Sequence, residues 1–157
     1  MTVTAAAPEH VDAIVVLLEE MDGFYGATGL EPPDVRRRQV DLALFSDPPA
    51  GYALLAWDAS QLVGIASYSF LWPAVGLTRS LYLKELYVAE QRWRSRIGTD
   101  LMRALFKVAA KYECSRVEWT TDTDNAGAQR FYRDLGTTQI PKLFYRADRS
   151  AIESGLA

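Results

Sequence analysis

The residues that most clearly suggest a binding function lie at positions 88–102, between an apolar strand pattern and a long amphipathic helix pattern. At a helix N-terminus, free backbone N–H groups and the helix dipole favour an anion. Loops that hold phosphate are usually rich in glycine, so that backbone can approach the ligand closely. This stretch keeps only Gly98 and carries a tryptophan among arginines instead: Arg92, Trp93, Arg94 and Arg96. It therefore indicates an anion site with unusual side chains.

The composition bounds the class of protein. The chain has 157 residues, 49% hydrophobic and 24% charged, so we expect a single globular domain over residues 1–157. We also expect no membrane span and no signal peptide, because no suitable apolar run is present. The single Cys114 excludes an internal disulfide and favours a reducing, cytoplasmic setting. With His10 as the one histidine, we expect no metal site and no Ser–His or Cys–His nucleophile pair.

Charge is unevenly distributed along the chain. Residues 84–111 hold seven basic and three acidic residues, a net charge of +4, although the whole chain carries −3. Part of this excess forms a stripe at helical spacing, Arg103, Lys107 and Lys111. A local positive field over an acidic remainder suits an anionic ligand at this position.

The periodicity of apolar residues predicts the elements that position the loop. Helical stripes cover residues 9–21, 32–45, 98–114 and 126–135, and Gly23, Gly26 and Gly29 predict a loop after the first helix. Strand patterns cover residues 2–6, 52–57, 62–70, 80–88, 116–121 and 142–146. A strand–helix–strand run through residues 80–121 implies a right-handed parallel crossover. The order β-α-α-β-β-β-α-β-α-β therefore predicts an α/β (α+β) fold with a mixed sheet.

This order, with the residues at its landmarks, resembles the GCN5-related N-acetyltransferase (GNAT) superfamily. Three segments carry the resemblance: Leu81–Val88 as the fourth strand, Gln91–Met102 as the pyrophosphate loop and third helix, and Asn125–Gly136 as the fourth helix. The resemblance covers nearly the whole chain and implies a splayed central sheet. Within the superfamily, the strand Tyr-Leu-Lys-Glu-Leu-Tyr-Val looks closest to the spermidine/spermine and thialysine acetyltransferases, although Lys84 replaces the first of two adjacent carboxylates found there.

The resemblance implies an N-acyltransferase that moves an acyl group, most often acetyl, from acyl-CoA to a primary amine of a small molecule by direct attack. Tyr132 then matches the acid that protonates the leaving thiolate, and Glu85 matches a base or a ligand for the cationic amine. Asn125 contacts the donor or caps its helix. The residues that the resemblance assigns to donor binding are Leu86, Tyr87, Val88, Trp93, Arg94, Ser95, Arg96, Ile97, Gly98, Thr99 and Asn125.

The pyrophosphate loop departs from the family pattern, in which Arg or Gln precedes two glycines. Counting back from Gly98 places Trp93 at the first position and Arg96 at the first glycine. Three hypotheses follow. Acetyl-CoA binds through backbone N–H groups and arginines; or aminoacyl-tRNA is the donor, and Arg92–Arg96 with the stripe Arg103, Lys107 and Lys111 contacts RNA; or the protein is a non-catalytic binding module.

The acceptor pocket of related enzymes is built by the loop between the first two helices, the fourth strand and the C-terminal strands. Here these segments offer Glu20, Asp22, Phe24, Tyr25, Trp72, Glu85 and Tyr145, of which Phe24, Tyr25, Trp72 and Glu85 are the candidates for acceptor binding. Aromatic walls with a carboxylate suit a small amine. The strand edges and residues 148–157 are candidate contacts of a homodimer, and nucleic acid is a partner only under the tRNA hypothesis.

Overall fold

The computed structural model describes residues 1–155 and divides into two compact units, Met1–Thr120 and a smaller one that begins at Thr121. Residues 156 and 157, the end of the candidate dimer segment 148–157, lie outside the described residues. Among residues 1–155, no helix is long and apolar enough to cross a membrane.

The first unit is a five-stranded mixed sheet with helices on both faces. Its elements are β1 (Thr2–Ala5), α1 (Val11–Phe24), α2 (Pro33–Phe45), β2 (Tyr52–Asp58), β3 (Gln61–Leu71), β4 (Ser80–Val88), α3 (Ile97–Lys111) and β5 (Arg116–Glu118). The strands lie in the order β1-β2-β3-β4-β5. All neighbours are antiparallel except β4 and β5, which are parallel. The mixed α/β sheet and the parallel crossover through α3 are therefore confirmed.

Strand β4 is paired differently along its two edges. Its pairs with β3 run from Leu71–Ser80 to Gly64–Val88. On the other edge, β5 pairs only with Ser80–Tyr82. We call the β5-side edge of Leu83–Val88 the open edge. It is the feature that the predicted splay requires.

A bulge at Lys84 changes which residues of β4 lie on each face of the sheet. Tyr68 pairs with Leu83 and Ser67 with Glu85, so Lys84 is an extra residue opposite no partner. Paired residues share a face of the sheet. Leu81 and Leu83 therefore lie on the face of Tyr68 and Phe70, while Glu85 and Tyr87 lie on the opposite face.

The two faces are covered by different helices. On one face, a side chain added at Gly64 would approach Ile97 Cγ2 to 3.0 Å and Leu101 Cδ1 to 3.1 Å, so α3 packs directly on β3 there. On the other face, Ile65 and Tyr87 belong to a buried cluster with Ile14 and Leu17 of α1. Glu85, on the same face as Tyr87, therefore lies on the α1 side of the sheet.

The second unit contains α4 (Ala126–Asp134) and the short helix α5 (Arg149–Glu153). Gly136 follows α4 with φ +78°, the left-handed conformation that ends helices at glycine. The strand predicted over 142–146 is wrong: these residues form no strand, and Leu143 and Tyr145 are more than four-fifths exposed. A short apolar run becomes a strand only where a sheet edge receives it, which local pattern does not determine.

The largest other differences between predicted and observed element boundaries occur at the ends of three elements. Helix α1 continues through Gly23 to Phe24, where a loop was predicted. Helix α3 begins at Ile97 and ends at Lys111 rather than at 114. Strand β5 ends at Glu118 rather than at 121. These shifts are one turn or less, the usual uncertainty of a boundary prediction.

Candidate active site

The open edge of β4 presents backbone groups of alternate residues. Ala89 N–H donates to Val63 O at 3.0 Å, so the backbone of Ala89 and, two residues earlier, of Tyr87 is directed at β3. The backbone N–H and C=O of Leu86 and Val88 are consequently directed at the open edge. A ligand that carries amides can pair with such an edge as an added strand does.

The loop after β4 leads directly into the N-terminus of α3. A short 3-10 helix, Glu90–Arg92, is followed by Arg94 in a left-handed conformation with φ +62°. Arg96 is the N-cap residue of α3, without a side-chain cap. Gly98 and Thr99 lie in the first turn, where N–H groups have no acceptor within the helix. Backbone donors and the helix dipole thus favour an anion here, as the sequence predicts.

Two arginines of the basic block are engaged by acidic side chains. Arg92 Nη2 lies 2.8 Å from Asp58 Oδ2, and Arg103 Nη1 lies 3.6 Å from Asp100 Oδ1. Arg94 and Arg96 are exposed at the loop. Arg92 and Arg103 are therefore partly neutralised, while Arg94 and Arg96 lie exposed beside the N-terminus of α3.

Trp93 is turned towards β4 and α1. Its indole Nε1–H donates to Val88 O at 2.7 Å. Its ring packs edge-to-face on Phe24, with centroids 5.2 Å apart, and Phe24 packs in the same way on Tyr25 at 5.1 Å. The structure therefore brings together a residue predicted for donor binding and two predicted for the acceptor pocket.

A buried tyrosine ties the same region together. Tyr87 Oη donates to Glu20 Oε1 at 2.9 Å, and the same oxygen accepts the N–H of Glu90 at 3.1 Å. Burial, and then the hydrogen bond to Glu20, raises the pKa of Tyr87 far above its usual range. Its hydroxyl is therefore a fixed neutral donor that links α1, β4 and the start of the loop. Sequence reasoning assigned only the backbone of Tyr87, because nothing local indicates a partner on a distant helix.

The carboxylate predicted for chemistry, Glu85, is partly buried on the α1 face of β4. The neighbouring Lys84 is exposed at the bulge. Glu85, and not Lys84, thus lies partly buried on the α1 side of the sheet, and the end of α1 carries Phe24 and Tyr25.

Trp72 lies elsewhere. It precedes β4, whereas Trp93 follows it, and the nine residues of β4 span about 26 Å at the usual rise per residue. Its indole Nε1–H donates to Leu77 O at 3.0 Å within the β3–β4 connection. The structure does not bring Trp72 to the cluster of Phe24, Tyr25 and Trp93.

The second unit carries the two remaining predicted residues on or beside α4. The Asn125 side chain accepts the N–H of Ala128 at 3.0 Å, so the capping role is present. Tyr132 packs against Phe131 with ring centroids 5.2 Å apart. Among residues 1–155, no group of three His, Cys, Asp or Glu side chains could hold a metal ion.

Comparisons with solved structures show where this fold occurs. An integron cassette protein from the mobile metagenome of V. cholerae matches 99% of this chain and 96% of its own, with TM-score 0.90 and 23% identity. A probable acetyltransferase matches 94% of this chain and 96% of its own, with TM-score 0.81 and 23% identity. The aminoglycoside N-acetyltransferase AAC(6')-Iy, solved in complex with CoA, matches 94% of each chain, with TM-score 0.77 and 14% identity.

The family follows from the sequence itself. The pattern of the acetyltransferase (GNAT) family matches residues 15–137, which include both the open edge of β4 and helix α4. That family generally uses acetyl-CoA. The chain therefore belongs to the acetyltransferase (GNAT) family and is an enzyme of the N-acetyltransferase type.

Proposed function

We propose that the protein transfers an acetyl group from acetyl-CoA to a primary amine of a small molecule by direct attack. The observation that carries the proposal is the open edge of β4 leading into the N-terminus of α3. Acetyl-CoA has two amides in its pantetheine arm and a pyrophosphate beyond them. The edge supplies strand-like hydrogen bonds for amides, and the helix terminus supplies backbone donors for phosphate.

Acyl transfer makes three demands on the protein. The attacking amine must be neutral, the oxyanion of the tetrahedral intermediate must be stabilised, and the leaving thiolate must receive a proton. We assign the first to Glu85, which takes a proton from the ammonium directly or through water; in its alternative role Glu85 only binds the cationic amine before it loses that proton. The backbone N–H groups of the Leu86–Val88 region supply the oxyanion donor. Tyr132 supplies the proton, since a phenol is protonated at neutral pH and yields its proton to a strong base.

The acceptor that we propose is a small cationic amine. Glu85 provides negative charge, and Phe24 and Tyr25 provide aromatic faces that attract a cation. Trp72 is left out of this site because it lies beyond the other end of β4. Solved structures of an aminoglycoside acetyltransferase from soil, one in complex with sisomicin at TM-score 0.73 and 14% identity, support amines of this general type. Lys84 distinguishes the chain from the spermidine/spermine enzymes, so a polyamine is one candidate among several.

The tRNA-dependent alternative has less support from the side chains. Arg92 is paired with Asp58 and Arg103 with Asp100, so two of the cations that would contact a phosphate backbone are partly neutralised by neighbouring carboxylates. Lys107 and Lys111 remain exposed on α3.

Isothermal titration with acetyl-CoA, followed by a thiol-release assay with an amine panel, tests the proposal. The panel contains an aminoglycoside, a polyamine, lysine and a primary alkylamine. We expect donor binding, and thiol release with at least one amine that falls strongly in Tyr132→Phe. The variant Phe131→Leu, at the adjacent residue, controls for packing changes on α4. Absence of acetyl-CoA binding at millimolar concentration, at two temperatures so that a binding enthalpy near zero is not mistaken for no binding, would refute the proposal.

A further inference from the structure

Trp93 departs from the loop pattern in type and also in what it contacts. Its N–H is bonded to the Val88 carbonyl at 2.7 Å, and half of its surface is exposed. The backbone geometry of β4 directs that carbonyl at the open edge, beside the groups of Leu86. The indole thus already occupies one of the acceptors that an amide-bearing ligand would use.

Trp93 also contacts the end of α1. The Trp93 ring lies edge-to-face on Phe24, at an interplanar angle of 88°, and Phe24 is the last residue of α1. Phe24 in turn contacts Tyr25. A movement of Trp93 away from Val88 would therefore remove a neighbour from the aromatic end of α1.

We infer that Trp93 is a positioning residue that competes with the donor for the Val88 carbonyl and couples donor binding to the Phe24–Tyr25 end of α1. The inference rests on the proposed function, because it takes the pantetheine amides as the competing ligand. When the donor pairs with the open edge, the indole leaves Val88, and Phe24 loses the ring that supports it. Trp93 thus lowers the affinity for the donor while the site is empty, and its displacement by the donor alters access to the acceptor site.

Two substitutions isolate the competing hydrogen bond. Trp93→Phe keeps an aromatic ring near Phe24 but removes the indole N–H. Because one neutral hydrogen bond no longer has to be broken, we expect CoA to bind about two- to tenfold more tightly. Trp72→Phe is the matched control: it removes an indole bond to a backbone carbonyl, Leu77 O, on the far side of β4. The CoA affinity of Trp72→Phe should equal that of the parent protein.

Coupling to α1 is tested with Phe24→Leu. This change removes the supporting ring, so CoA affinity should rise in the parent protein and change little in the Trp93→Phe background. Equal effects in both backgrounds would show that Phe24 does not act through Trp93.

Indole N–H signals in a ¹⁵N-labelled sample provide a direct readout, and the Trp→Phe variants assign them. On titration with CoA, and separately with pantetheine, which lacks the phosphates, the Trp93 signal should shift and exchange faster with solvent, while the Trp72 signal should not. Binding of CoA with an unmoved Trp93 signal, or weaker binding in Trp93→Phe, would overturn the inference. No heat and no shifted signal with CoA would instead refute the proposed function, and the inference with it.

Discussion

The two halves of β4 differ in strand pairing and in burial. Ser80–Tyr82 is paired on both edges, and Leu81 and Leu83 are almost completely buried. Beyond the bulge at Lys84, the strand is paired on one edge only, and Glu85, Leu86 and Val88 are partly exposed. The comparison teaches that a strand can anchor a sheet with one end and offer backbone groups to a ligand with the other.

The largest effect should come from removing the carboxylate of the second half. We expect Glu85→Gln to lower the rate of acetyl transfer roughly 10²–10⁴-fold, because general base catalysis is typically of that size. The midpoint of thermal unfolding should stay nearly constant. The control Lys84→Gln, at the exposed bulge, should retain most of the activity. Equal losses in both variants would show that the two positions are not functionally distinct.

In the first half, Leu81→Ala should act on stability. Leu81 is 0% exposed, and a cavity at such a site usually costs about 2–5 kcal/mol of the free energy of unfolding. Chemical denaturation measures this change. Leu71→Ala, at an exposed residue of β3, is the control and should cost far less. If Leu81→Ala lowered activity with unchanged stability, the first half would not be purely an anchor.

The contact between β3 and α3, beside the second half of β4, depends on a glycine. In Gly64→Ala, the new methyl group would lie 3.0 Å from Ile97 Cγ2 and 3.2 Å from the backbone oxygen of Tyr87. We expect a loss of about 1–3 kcal/mol from overpacking. Gly23→Ala in α1 meets nothing within 4 Å and should stabilise the protein by up to about 1 kcal/mol. A neutral Gly64→Ala would mean that α3 can move away from β3 at little cost.

The smallest effect concerns alkaline pH. Burial, with nearby Tyr112 and Tyr52, raises the pKa of Tyr68, which pairs with the first half of β4, to about 12. The pKa of Tyr87, in the second half, is also raised. Both pKa values in the folded protein exceed the value near 10 in the unfolded chain. The contribution of the two neutral hydroxyls to the free energy of unfolding is therefore complete below pH 10 and is lost as the pH rises towards 12. Unfolding free energies between pH 9 and 12 should fall, and Tyr68→Phe and Tyr87→Phe should each reduce that fall. Identical slopes in all three proteins would contradict this.

Much of the fold could be predicted from the sequence because its signals are local. The hairpin of β2 and β3, strand β4 and the apolar stripe of α3 follow from periodicity and turn residues. The helix N-terminus at the start of α3, where we propose the anion site, also follows from the pattern, since it depends on local backbone.

Other features depend on distant partners. The bulge at Lys84 is defined by pairing with β3, and alternation alone puts Leu83 and Glu85 on one face. The hydrogen bond from Tyr87 to Glu20 joins a strand to a remote helix. Trp93 was expected at the phosphate because the motif position suggested it, and its contact with Phe24 has no local signal. The roles proposed for Glu85 and Tyr132 stay predictions until the variants are measured.

The bulge at Lys84 also makes the two halves of β4 separable for protein engineering. Odd-numbered positions before it face α3 and those after it face α1. Under the proposed function, a substitution at Glu85 that alters substrate choice needs no compensating change at Leu81 or Leu83, which pack on the other face. One extra residue thus separates redesign of the proposed site from the packing that holds the strand in the sheet.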